Sequence, residues 1–81
     1  MFQIIYSEPA QEDLDGLPPK QAAQVVKKIG RLQAGLYGDI KRLQKHDFTY
    51  RLRMGDFRIL FDVKRDVIII QRVKNRKEAY D

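Results

Sequence analysis

The sequence contains no cysteine and a single histidine. Without cysteine there can be no disulfide staple, no thiolate metal site and no thiol nucleophile, so a hydrophobic core alone must hold the fold, as suits a reducing cytoplasm. No apolar run is long enough to span a bilayer, and the N-terminus lacks the basic, apolar and small-residue succession of a secretory signal, so no membrane association is expected. An HExxH helix, a cluster of histidine and carboxylates at ligand spacing, a glycine-rich phosphate loop and a GxSxG elbow are all missing. Metal-dependent, cofactor-dependent and serine chemistry are therefore set aside.

What the 81 residues do contain is enough apolar side chain, 43%, for one core but not two, so a single domain over residues 1–81 is expected. Charge is distributed unevenly. The first 19 residues carry Glu8, Glu12, Asp13 and Asp15 and no lysine or arginine, whereas all 16 basic residues follow, against seven acids. That local excess of +9 is enough to attract a polyanion at long range, and nucleic acid is the leading partner. A merely solvated basic surface is the alternative reading.

Residues 2–6, FQIIY, alternate as a short strand and end at Ser7, a good helix cap ahead of Glu8 and Pro9. Ala10, Leu14 and Leu17 then share one helical face until Gly16 and Pro18-Pro19 end the pattern. A second helix opens at Pro19, with Ala22, Val25, Val26, Ile29, Leu32 and Leu36 on its apolar face and Gly35 and Gly38 at its end. The period then becomes two. Phe48, Tyr50, Leu52 and Met54 alternate with Thr49, Arg51 and Arg53, Gly55-Asp56 turns the chain, and FRILFDV and VIIIQRV follow as two more strands. The expected fold is α+β: a short N-terminal strand, a helical hairpin and a three-stranded antiparallel meander, with helices on one face of the sheet. Leu60, Ile68 and Ile70 are expected on the face away from the helices, which stays open or is covered by the C-terminal segment or a separate chain.

Arg51, Arg53 and Arg58 converge if the hairpin is regular. Three adjacent guanidinium groups repel one another unless an anion joins them, and their forks match phosphate oxygens. The competing reading pairs them with Asp47, Asp56 and Asp62 on a solvated strand. The tail VKNRKEAYD adds Lys74, Arg76, Lys77 and Tyr80. Among cations the Tyr80 phenol can lose its proton more easily and serve as a base; alternatively its ring is a lid over Leu60 and Ile70. RNA offers a reaction that such groups suffice for, attack of its own 2′-hydroxyl on the adjacent phosphate. His46, in the loop between the helices and the hairpin, ranks below Tyr80 as a base, and Ser7 is explained as a cap.

The segments SEPAQEDLDGLP, KRLQKHDFTYRLRMGDFRI, VIIIQRV and NRKEAY together make the chain resemble the toxins of the RelE/ParE superfamily, on its RelE branch, over nearly its whole length. The resemblance implies a fold like that of small microbial ribonucleases, a cognate antitoxin, and cleavage of messenger RNA in the ribosomal A site. It assigns phosphate binding and transition-state charge to Arg51, Arg53 and Arg58, and the tail roles to Arg76 and Tyr80. Lys41, Arg42, Lys45, Lys74 and Lys77 are then the surrounding RNA contacts. The family's best-known members have lysines where Arg51 and Arg53 stand, and many have histidine where Asn75 stands, so proton transfer here rests on Tyr80. Two alternatives share the fold: a ParE-like protein that inhibits DNA gyrase by contact, and an RNA-binding relative without cleavage.

Overall fold

A computed structural model describes residues 1–44 and 47–75 of the chain. Strand β1 (Gln3–Tyr6) runs into helix α1 (Glu8–Asp15) through Ser7. The serine Oγ accepts the Ala10 amide at 3.2 Å, satisfying one of the donors that a helix start leaves open. Helix α2 (Pro19–Gly30) follows, with Pro19 in its first turn, and packs beside α1. Beyond a 3-10 turn at Arg31–Gln33 come β2 (Ile40–Arg42), β3 (Tyr50–Met54), β4 (Phe57–Lys64) and β5 (Val67–Asn75). The sheet order is β1-β5-β4-β3-β2, with β1 parallel to β5 and every other pair antiparallel. Among the described residues no helix is long and apolar enough to cross a membrane.

One core lies between the helices and one face of the sheet. Ala10, Leu14, Val25, Ile29 and Leu32 meet Leu52, Ile59, Phe61, Ile68, Ile70 and Val73 there. Tyr50 stacks on Phe61 with ring centres 5.4 Å apart. The α+β class, the helical pair and the three-stranded meander agree with the sequence pattern, but three details differ.

First, the sheet has five strands where the pattern predicts four. Strand β2 is three residues long, too short to show a period, and takes its ladder from β3. Second, the hydrophobic spacing carries the second helix to Leu36, whereas α2 stops at Gly30, a poor helix former, and tightens into the 3-10 turn. The tighter turn still buries Leu32 and half-buries Leu36. Third, Ile68 and Ile70 face the helices, and of the three residues expected on the far face only Leu60 is there. A bulge between β4 and β5 is responsible: Leu60 pairs with Arg72 and Phe61 with Ile70, so Gln71 is passed over. On that far face Leu60 itself has no exposed surface, while Arg53 is exposed.

The second half of β5 lies beyond the end of β1 and is held by α1. Asp13 accepts from Arg72 Nε at 2.8 Å, Arg72 Nη2 at 2.9 Å and the Val73 amide at 2.9 Å. Burial opposes the charged form of Asp13. The hydrogen bonds from Arg72 and Val73 and the charges of Arg72 and Lys74 outweigh it, and the carboxyl pKa lies below its ordinary 3.8. A carboxyl with a depressed folded pKa contributes stability above its unfolded value and loses it as pH falls through the folded one. Replacing Asp13 with Asn should therefore cost about 2 kcal/mol at pH 7 and flatten the loss of stability below about pH 4. Urea unfolding at pH 7 and pH 3 checks this, and equal pH dependence in both proteins would remove Asp13 from the account.

Candidate active site

The β3–β4 hairpin is closed by Gly55 and Asp56, with Met54 opposite Phe57. Gly55 adopts φ +54°, a left-handed conformation that glycine reaches without strain. So tight a turn fixes every later pair: Arg53 stands opposite Arg58, and Arg51 opposite Leu60. Across the next ladder Arg58 stands opposite Lys74. Arg53, Arg58 and Lys74 thus form one row over three strands, on the face away from the core. A neighbouring row runs Lys41, Arg51, Leu60 and Arg72. Directly opposed Cβ atoms in such a sheet are roughly 5 Å apart, so these cations are close neighbours.

Their environments differ. Arg53 is exposed, while Arg51 and Arg58 are only 9% and 3% exposed. Arg58 Nη1 donates to the carbonyls of Gly55 at 3.0 Å and Phe57 at 3.1 Å, which anchors its guanidinium beside the turn. Asp39 approaches Arg51 Nη2 at 3.7 Å, a loose contact to a mostly exposed carboxylate that neutralises little. Asp62, on the same strand face as Arg58, commits its oxygens elsewhere: Oδ1 accepts the Thr49 amide and hydroxyl at 2.8 and 2.7 Å, and Oδ2 accepts Gln71 Nε2 at 3.2 Å. Arg72 belongs to the same register row but turns to Asp13. Arg51, Arg53, Arg58, Lys41 and Lys74 thus share one face of the sheet, where guanidinium forks match the oxygens of an anion such as a phosphate. Among the described residues no group of three or more His, Cys, Asp or Glu could hold a metal ion.

Not every sequence candidate joins this face. Arg42 pairs with Tyr50 and so lies on the opposite side of β2. Asn75 pairs with Phe57, on the helix side, one position past Lys74. Lys45, His46, Arg76, Lys77 and Tyr80 lie outside the described residues. Sequence reasoning missed Asp13 and Arg72 altogether: 59 residues separate them, and an acid on a short helix carries no local sign of such a partner.

Comparison with known proteins follows the same outline. The family model described as the ParE toxin of the type II toxin-antitoxin system parDE matches residues 4–80. RelE1 of Methanocaldococcus jannaschii is 33% identical over 85 aligned residues, 98% of this chain and 94% of its own. Toxin RelE3 of the same organism is 44% identical over 43 residues, 53% of this chain; that match spans 49%, about half, of RelE3. Among solved structures, the toxin-antitoxin complex RelBE2 of Mycobacterium tuberculosis contains a chain that aligns over 93% of this one and 98% of itself, at 28% identity and a TM-score of 0.81.

Crowded cations should make the fold responsive to anions. At matched ionic strength, replacing chloride with sulfate should raise the melting temperature more in the wild type than in an Arg53→Met, Lys74→Met variant, because a bound anion adds to the general salting-out effect. An equal rise in both proteins would mean that the face holds no anion.

Proposed function

Since the chain belongs to the ParE toxin family of type II toxin-antitoxin systems, within the RelE/ParE superfamily, we propose that it is a toxin that cuts messenger RNA in the ribosomal A site without a metal. The observation that carries this reading is the row Arg53–Arg58–Lys74 with Arg51 beside it, two of whose guanidinium groups are buried. Inhibition by contact alone gives no reason to bury cations side by side, whereas a phosphate passing through a doubly charged pentacovalent state does. The full-length relative named RelE1 supports the same branch.

In the proposed reaction Arg51, Arg53 and Arg58 hold the scissile phosphate and neutralise its growing charge. Tyr80 takes the proton of the 2′-hydroxyl, whose oxygen attacks phosphorus. The bond to the 5′-oxygen breaks, leaving a 2′,3′-cyclic phosphate on one fragment and a 5′-hydroxyl on the other. Arg76 stabilises that departing oxygen until water protonates it. Arginines at positions 51 and 53 hold charge throughout but release no proton near neutrality, which leaves the base role to the tyrosine. Lys41, Lys45, Lys74 and Lys77 guide the neighbouring phosphates. A cognate antitoxin is the regulatory partner, as in the RelBE2 complex of the similar chain, and the cytoplasm is the place of action.

The ParE description of the matching family model favours a second reading, inhibition of DNA gyrase by binding. Two assays separate them. Mapping mRNA ends on stalled ribosomes should give discrete ends within A-site codons, and gyrase supercoiling should be unaffected. Arg58→Ala and Tyr80→Phe should each lower cleavage by about a hundredfold or more. Arg53→Ala, at an exposed position, should lower it without disturbing the fold. Undiminished cutting by the Arg58 and Tyr80 variants would refute the assignment, and supercoiling arrest without new mRNA ends would replace it by the second reading.

A further inference from the structure

The loop between the 3-10 turn and β2 is not used by the chemistry above, and it presents an exposed aromatic ring. Tyr37 is 71% exposed, yet its ring is seated: Gly35, at φ +151°, lies so close that a Cβ there would stand 2.7 Å from Tyr37 Cε2 and 3.0 Å from Cζ. Backbone bonds tie the loop down, from Gly35 N to Leu32 O at 3.2 Å, Tyr37 N to Gly35 O at 2.9 Å and Ile40 N to Gly38 O at 3.0 Å. Lys28 and Arg31 line the same open groove as Tyr37, with Ala34 and Gly38, and no acid is among them.

We infer that Tyr37, Lys28 and Arg31 form an accessory site for single-stranded RNA, the ring stacking on an unpaired base and the two cations taking the flanking phosphates. A base offers a flat surface to any exposed ring, and a ring already fixed on a glycine loses little freedom when it stacks. Protein partners also use tyrosine and arginine, but around an apolar pocket filled by an anchor. Here cations and small residues surround the ring, which suits a polyanion. The place also fits. Two residues beyond Tyr37 the Asp39 carbonyl accepts the Arg53 amide at 2.9 Å and its carboxylate approaches Arg51. Lys41 then stands directly opposite Arg51. Tyr37 thus lies at the β2 edge of the sheet, four residues from Lys41 with Asp39 between them in the chain, and an RNA that reaches both passes around that edge. The biological role of this site rests on the RNA reading above, but its test does not.

The experiment measures binding of a single-stranded octaribonucleotide, and in a second arm of mRNA-free ribosomes, to protein carrying Tyr80→Phe so that no probe is cut. Tyr37→Ala should weaken binding about tenfold, and Tyr37→Phe should leave it unchanged. Gly35→Ala, which pushes the ring off its seat, should behave like Tyr37→Ala. Removing both Lys28 and Arg31 should reduce the salt slope of octamer binding by roughly 1.4. Dependence on Tyr37 in the octamer arm assigns the base to messenger-like RNA, and dependence in the ribosome arm alone assigns it to ribosomal RNA. The proposal is overturned if both probes bind equally well without the ring, if neither binds the parent, or if Tyr37→Ala weakens only antitoxin binding. Tyr37-dependent binding in a protein whose unsubstituted form cuts no mRNA would uphold this site and dismiss the nuclease alone.

Discussion

Strand β5 has a strand on each side only as far as Ile70; from there on α1 replaces β1 as its neighbour, and the Asp13 carboxylate takes the Val73 amide that β1 would otherwise have bonded. The bulge at Gln71 sits where the two neighbours change over. Ser7 Oγ donates to the Gln71 carbonyl at 3.0 Å, and the Gln71 side chain donates to Asp62. Ile70 and Lys74 are four residues apart and would share a face of a regular strand. Because one residue is passed over, Ile70 enters the core while Lys74 stands opposite Arg58. The third cation of the row thus depends on an acid and a serine from the N-terminal part of the chain.

Strand β4 carries the opposing demands of fold and chemistry on its two faces. Ile59, Phe61 and Val63 pack toward the helices, while Arg58, Leu60 and Asp62 look the other way. Burying a guanidinium costs several kcal/mol unless donors and charge are satisfied, and apolar residues in the same place often stabilise a protein more. A domain of this size has one core to offset that cost. Arg58 meets part of that cost through the Gly55 and Phe57 carbonyls, so the turn and the buried cation are held together.

Much of this arrangement was legible in the sequence because it is local. Ser7 with Pro9, the 3.6-residue spacing of α2, the Gly55-Asp56 turn and the alternation of arginines with apolar residues each state their own geometry within a few positions. What escaped is non-local or too brief. Gln71 looks like any strand residue, and only its partners from Ser7 and Asp62 reveal the bulge. Asp13 reads as a solvated helix acid until Arg72 is brought to it. Strand β2 has no period of its own, and the end of α2 is decided by Gly30 rather than by the apolar stripe that continues past it. The misplacement of Ile68 and Ile70 follows from the bulge alone, since strict alternation through Gln71 puts them on the wrong side.

The Gly55-Asp56 turn links these threads. A two-residue connection sets the register of β3 against β4, and with it the opposition of Arg53 and Arg58; one residue more or fewer would turn every side chain of one strand to the other face. The Gly55 carbonyl of the turn, with that of Phe57 just after it, also holds the guanidinium of Arg58, so the turn both aligns the cations and helps anchor the most buried of them. A glycine at φ +54° is what lets the chain reverse this tightly. Core packing on one side of the hairpin then makes the register costly to change, which means that the hydrophobic face of the sheet, through the turn, sets the spacing of the charged one.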